Sequence, residues 1–227
     1  MTMKKLLATA ALALPLVASA TNLLSNPSFE AGPLGTAIPS WTSFQVVPNV
    51  FPPSVVPSTG VAIAPFGTIV NPNPLNGVGA SPDPVGVQAA YFVDDQFPAT
   101  VFQTLPFVEA GSYFVGFDYF IPLNGLENPA DATLNVCFGP CFAAVTVDSN
   151  SVGGVWANFT TTVTIGAGAT TFSFAYMPQG TVGSVFAKDI VVDRAFVVAV
   201  PEPSTYAMFA AGLLALGLFA RRRNNSQ

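Results

Sequence analysis

Histidine is absent from all 227 residues, so the chemistry open to this chain is that of carboxylates, one cysteine pair and aromatic rings. The absence removes the usual general base near neutral pH, the commonest zinc ligand, and any Ser-His or Cys-His nucleophile. The acid–base work that survives is of the glycoside-hydrolysing kind, in which two carboxyl groups face each other about 5–5.5 Å or about 6.5–9.5 Å apart. Asp94-Asp95, and Asp118 with Glu127 and Asp131, are the acids such a reaction would use. No motif surrounds them, the competing reading is solvated loop acids, and the chain reads as a non-enzyme.

Cys137 and Cys141 bracket Phe138-Gly139-Pro140 in a Cys-x3-Cys spacing, which differs from the redox Cys-x2-Cys. In an oxidising compartment an even cysteine count favours a disulfide, with free thiols and metal or redox work as the alternatives. Closing so small a ring constrains the unfolded chain by only about 2 kcal/mol. Trp41, Trp156, Tyr91, Tyr119 and Tyr176 offer ring faces that can stack on the C–H face of a pyranose. Trp41 stands out because Ser40, Thr42 and Ser43 flank it, and Trp156 is the second candidate; for each ring the bland reading is core. Asn158-Phe159-Thr160 matches a glycosylation acceptor by chance.

Between Thr21 and Ala199 short runs of Val, Phe, Thr and Tyr are broken by Gly, Pro and Asn, with no helical period, which predicts an all-β domain of about nine strands. Asn22 to Leu24 and Pro27 to Glu30 read as an opening strand, and Trp41 to Val47 as a second. Prolines at 48, 52, 53, 57, 65, 72, 74, 82 and 84 make Pro48 to Pro84 a loop-rich insertion with one strand near Val61 to Val70. Gly86 to Val93 resumes strand character. Thr100 to Leu105 and Ala110 to Tyr119 follow, joined by a turn at Ala110-Gly111, with Tyr113, Val115, Phe117 and Tyr119 on one face. Ala132 to Phe138 and Ala143 to Asp148 read as a hairpin around the cysteines. Val155 to Ile165, Thr170 to Met177 and Val185 to Val198 complete the set.

The two ends are not part of that domain. Lys4 and Lys5, the apolar run Leu6 to Val17 and the small residues Ala18-Ser19-Ala20 have the layout of a secretory signal helix at 1–20, cut after Ala20 by signal peptidase on the general secretion route. At the other end Val200-Pro201-Glu202-Pro203-Ser204-Thr205 precedes an uncharged run from Tyr206 to Ala220 and then Arg221-Arg222-Arg223. As a helix those 15 residues span about 22 Å against a hydrocarbon core of about 30 Å, a marginal transmembrane length. The arginines keep their end cytoplasmic and leave the rest of the chain outside. With both ends set aside, residues 21–199 keep only Lys188 and Arg194 against eleven acids, a formal charge of 2 − 11 = −9. That balance repels phosphate backbones and excludes nucleic acid as a partner.

The tail, as VPEPST, an apolar helix and RRR over residues 200–227, resembles the PEP-CTERM sorting signal. That resemblance implies an exosortase as partner, cleavage near Pro-Glu-Pro, transient single-pass residence in the inner membrane, and delivery to the cell surface or beyond. The alternative is an ordinary membrane anchor. NLLSNPSFEAG, TVFQTL with AGSYFVGFDYF, VWANFTTTVTIGAGATTFSFAY and FAKDIVV, in that order across Asn22 to Val198, resemble the galactose-binding-like jelly roll of many carbohydrate-binding modules. This implies a single antiparallel β-sandwich over 21–199. It also implies a structural calcium near Glu30 and Asp189, the alternative being two solvated edge acids with no metal; no other cofactor is expected. Together the resemblances imply an exported protein of the exopolysaccharide or biofilm matrix that binds extracellular polysaccharide without catalysis. The alternatives are a structural surface protein with no sugar affinity, acting by abundance and self-association, and an exported glycoside hydrolase.

Overall fold

The computed structural model describes residues 21–45, 54–57, 63–64, 68–69, 81–92, 97–179, 186–201, 210–214 and 216–217. Ala18, Ala20, Asp94, Asp95, Glu202, Pro203, Ser204 and Arg221 to Arg223 lie outside them, as does most of the proline-rich insertion.

Two five-stranded antiparallel sheets face each other. The strands are β1 (Thr42–Gln45), β2 (Ser54–Pro57), β3 (Ile63–Ala64), β4 (Thr68–Ile69), β5 (Gln88–Phe92), β6 (Ala99–Val108) and β7 (Gly111–Phe120). A short helical turn, α1 (Leu123–Leu126), leads to β8 (Asp131–Phe138), β9 (Cys141–Val147), β10 (Trp156–Ile165), β11 (Gly168–Gln179) and β12 (Ile190–Ala199). One sheet runs β1-β6-β11-β8-β9, the other β10-β7-β12-β5-β2, and β3 with β4 forms a small ribbon apart. This is the sandwich that period-two alternation predicts. In β7 the rings of Tyr113 and Phe117 and the side chain of Val115 enter the core while Tyr119 packs at its margin.

The core is aromatic because twenty phenylalanines must go somewhere in a chain with few charges. Phe174 of β11 meets Phe117 of the opposite sheet edge-on at 5.0 Å, and Tyr113 of β7 meets Phe138 of β8 at 5.5 Å. Such edge-to-face pairs add to the gain from burial alone.

Two short connections cross between the sheets. The turn before Gly111 joins strands in different sheets, so β6 and β7 form an arch rather than a hairpin; the same holds for β10 and β11 across Gly166-Ala167. Both faces of a sandwich need covering, and alternating between sheets covers them. The hairpin β8–β9 does stay within one sheet, with Cys137 opposite Cys141.

The opening strand is also corrected. Asn22 makes an isolated bridge to Val198, and the chain then coils, because Asn26 and Phe29 take left-handed φ of 48° and 55° that no ladder tolerates. Side-chain amides replace strand partners: Asn22 Oδ1 accepts from Val197 N at 3.0 Å, and Asn26 Oδ1 accepts from Ala31 N at 3.1 Å. The last strand starts at Ile190, five residues later than the pattern predicts.

Candidate functional site

The structure sorts the five candidate rings. Trp41 keeps 7% of its surface and stands against Phe29, Phe172 and Phe174 at 5.4, 5.8 and 5.9 Å, while its indole N–H donates to Asn26 O. It is a core residue, which corrects the expectation raised by its polar neighbours: in a strand, residues one apart face opposite ways. Tyr91 and Tyr176 are fully buried, their hydroxyls donating to Asp189 Oδ2 and Lys188 O. Trp156 is half-buried on the outer face of the second sheet, tilted against Phe120 at 5.4 Å; its indole N–H finds no acceptor among the described residues.

Tyr119 is different. Also half-buried, it lines a cleft of about 270 Å³ with Ile121, Val145, Thr146, Ser151, Val152, Val155 and Ala157. The cleft lies where β9 and β10, the edge strands of the two sheets, leave the sandwich open between them. Tyr119 faces inward because it continues the alternation of Tyr113, Val115 and Phe117, with Ala157 opposite it on β10. The rim is a fixed turn: Asn150 N and Ser151 Oγ donate to Asp148 Oδ1 at 2.9 and 3.1 Å. The Asn150 backbone bond first, then the Ser151 hydroxyl, hold the Asp148 carboxyl below its ordinary range. A phenol, hydroxyls at Thr146 and Ser151, and apolar walls make a surface that can take a ring with one apolar and one polar face.

The acids are engaged elsewhere. Asp118, 1% exposed, accepts from Arg194 Nη2 at 3.0 Å and from Asn158 Nδ2 at 2.8 Å through Oδ1, with Arg194 Nε 2.7 Å from Oδ2 in close electrostatic contact but off the hydrogen-bond line. A bulge makes this possible: the β12 register shifts after Asp193, and Arg194 takes φ of 46°, turning its side chain to the same face as Asp118. Asp131 pairs with Lys188 at 3.0 Å, and Glu127 is exposed. None of the three lines the cleft.

Glu30 and Asp189 are not brought together. Glu30 accepts from Gln88 N at 2.6 Å and its carboxylate occupies the space over Gly86, where an added Cβ would meet Glu30 Cδ at 1.8 Å. Asp189 is held by Tyr91 and, at 3.5 Å, by Asn128 Nδ2. The acid that feels Glu30 is Asp193, whose pKa is raised to about 7 by burial, with Asp83 and Glu30 adding to the rise against bonds from Ser81 and Arg194 N. Ser81 Oγ donates to Asp193 Oδ2. Among the described residues no three His, Cys, Asp or Glu side chains are grouped to hold a metal, and Glu30 and Asp189 each bond to different partners. Cys137 and Cys141 are disulfide-bonded, with Cα atoms 4.0 Å apart. Sequence reasoning missed Ser151, Val152 and Val155 at the cleft; Gly153-Gly154 beside them was the available signal for a built loop.

Residues 199–223 match the PEP-CTERM protein-sorting motif. The motif marks an exported chain with a membrane-anchored sorting signal processed by an exosortase. In that segment Ala199 ends β12, residues 200–201 are irregular, and residues 210–214 and 216–217 are helical; no helix of the described residues is long and apolar enough to cross a membrane. No curated protein matches the chain. Among solved structures the fold is similar to a cyclase from Fischerella sp. TAU, at 14% identity and TM-score 0.50 over 80% of this chain and 98% of that one. It is also similar to TmCBM61 in complex with β-1,4-galactotriose, at 20% identity and TM-score 0.46 over 80% of this chain and 100% of that one. A third neighbour is the CBM22-1 xylan-binding domain of Paenibacillus barcinonensis Xyn10C, at 14% identity and TM-score 0.41 over 81% and 97%.

Proposed function

We propose that residues 21–199 form an exported, non-catalytic sandwich that holds extracellular polysaccharide through the Tyr119 cleft, and that residues 200–227 deliver it to the cell surface. The observation that carries the reading is that, of the five rings able to stack on sugar, Tyr119 lines an open cleft with hydroxyl groups at its rim. Sugar rings bind where an aromatic face covers their C–H side and fixed polar groups meet their hydroxyls. The acids support a non-catalytic role, since Asp118 and Asp131 are tied to Arg194 and Lys188. In this reading the short apolar helix holds the chain in the inner membrane only until the exosortase acts, and the product joins the exopolysaccharide matrix.

Affinity electrophoresis through gels of β-1,4-galactan, of xylan and of the producing bacterium's own exopolysaccharide tests it. The exported protein is retarded by at least one, and Tyr119→Ala abolishes the retardation while melting as a folded protein. Equal mobility of both proteins in every gel would sink the proposal and favour a structural surface protein without sugar affinity.

A further inference from the structure

The outer edge of the second sheet is a strand that lacks every usual protection. β10 runs ten residues in unbroken register with β7, from Trp156 opposite Phe120 to Ile165 opposite Gly111. It contains no charge, no proline, no glycine and no bulge, and Thr160 to Ile165 are six consecutive β-branched residues. In an antiparallel ladder alternate residues turn both N–H and C=O to each side, so about five donors and five acceptors point away from β7. Among the described residues no strand pairs with them. Natural sheets blunt such edges with charge, proline, shortness or a bulge, because an open neutral edge is a template for another strand.

The other three edges are blunted. β1 and β2 have four residues each, and β2 ends on Pro57, which has no N–H to give. β9 starts at the disulfide, and its pairing with β8 slips between Leu134 and Asn135. Among the edge strands of the described residues, only β10 combines length, neutrality and regularity.

The geometry points to antiparallel pairing of β10 with β10 of a second copy about a twofold axis, joining two five-stranded sheets into one of ten. The occupant follows from the strand's own residues: two domains of formal charge −9 repel each other overall, but β10 is uncharged and sets no like charges opposite each other when it pairs with itself. Centring the axis on Thr161 sets Thr160 of one copy opposite Thr162 of the other, and Phe159 opposite Val163. Thr–Thr and aromatic–β-branched pairs of this kind are the stabilising ones in sheets. The pairing shares Ala157 with the rim of the Tyr119 cleft but makes no use of the Tyr119 ring, so Tyr119→Ala leaves the dimer intact while removing the sugar contact.

The test uses the protein recovered outside the cell and sedimentation velocity over a dilution series. The wild type sediments as a dimer that dissociates on dilution. Thr160 and Thr162 are exposed, so the double variants T160K/T162K and T160E/T162E keep the fold, checked by circular dichroism. Each alone is weakened in association by about tenfold or more, since the twofold sets two like-charge pairs face to face. An equimolar mixture of the two restores the dimer. A wild type that stays monomeric throughout, double variants that dimerise as the wild type does, or a mixture that fails to reassociate would each overturn the inference.

Discussion

Replacing Trp41 by alanine separates a core ring from a ligand ring. The side chain is 93% withdrawn from solvent, with three aromatic rings inside 6 Å and one hydrogen bond to Asn26 O. Truncating a tryptophan so placed costs about 3–5 kcal/mol, from lost transfer energy plus the cavity left behind. The Asn26 carbonyl also loses its donor, adding about 1 kcal/mol if no water replaces it. Against a total stability of about 5–15 kcal/mol, the variant stays folded at room temperature but close to its limit. At about 2–4 °C per kcal/mol for a domain of this size, its melting temperature falls by roughly 6–24 °C. Urea unfolding followed by circular dichroism gives the same difference as a lower midpoint at unchanged slope. Retardation in the polysaccharide gels, run well below the melting temperature, equals that of the wild type. A variant that melts like the wild type yet loses retardation would refute the reasoning and return Trp41 to a binding surface.

Other outcomes follow from the buried charges and the hairpin. Asp193 has a folded pKa of about 7 against an ordinary 3.8, so the native state holds its proton more tightly than the unfolded chain does. Its contribution is complete below pH 3.8 and is lost as pH rises through about 7, a total of about 4 kcal/mol. Asp193→Asn therefore flattens the fall in stability between those limits, measured as urea midpoints across pH; an unchanged profile would show that Asp193 does not titrate there. Arg194→Met leaves the Asp118 carboxyl, 1% exposed, without its cation and with Asn158 still donating to it, and costs about 2–3 kcal/mol, the guanidinium being 41% exposed and partly screened. Adding Asp118→Asn recovers most of that loss in thermal melts, and additive losses would mean the pair is not coupled. Cys137→Ser with Cys141→Ser costs about 2 kcal/mol or less, and thiol labelling of the unfolded wild type finds no reactive group; two labelled thiols would contradict the bridge.

The parts of the fold legible in sequence were those set by short-range pattern. Alternation in β7, the hairpin punctuated by Gly139-Pro140, and the tail of Pro-Glu-Pro, apolar run and arginines each lie within a few residues of one another. The parts that were not legible are set by distance. Ser40 and Thr42 beside Trp41 in sequence are exposed, whereas two of the three rings it packs on lie on β11, more than 130 positions on. Tyr113 and Tyr119 belong to one alternating series, and which of them stays open depends on where β9 and β10 end, not on β7. The bond between Asp118 and Arg194 spans 76 positions and needs a bulge that no local motif announces. Glu30 and Asp189 were placed together by family resemblance, while the geometry sets Asp193 in the field of Glu30 and gives Asp189 to Tyr91.

The central claim is that polysaccharide lies in the cleft between the β9 and β10 edges. The most direct measurement is an amide chemical-shift map of the exported protein titrated with soluble fragments of a polysaccharide that retards it. The account predicts saturable shifts confined to Tyr119, Ile121, Val145, Thr146 and the loop from Ser151 to Ala157. Shifts centred instead on Phe44 and Phe102, on the open face of the other sheet, would contradict it.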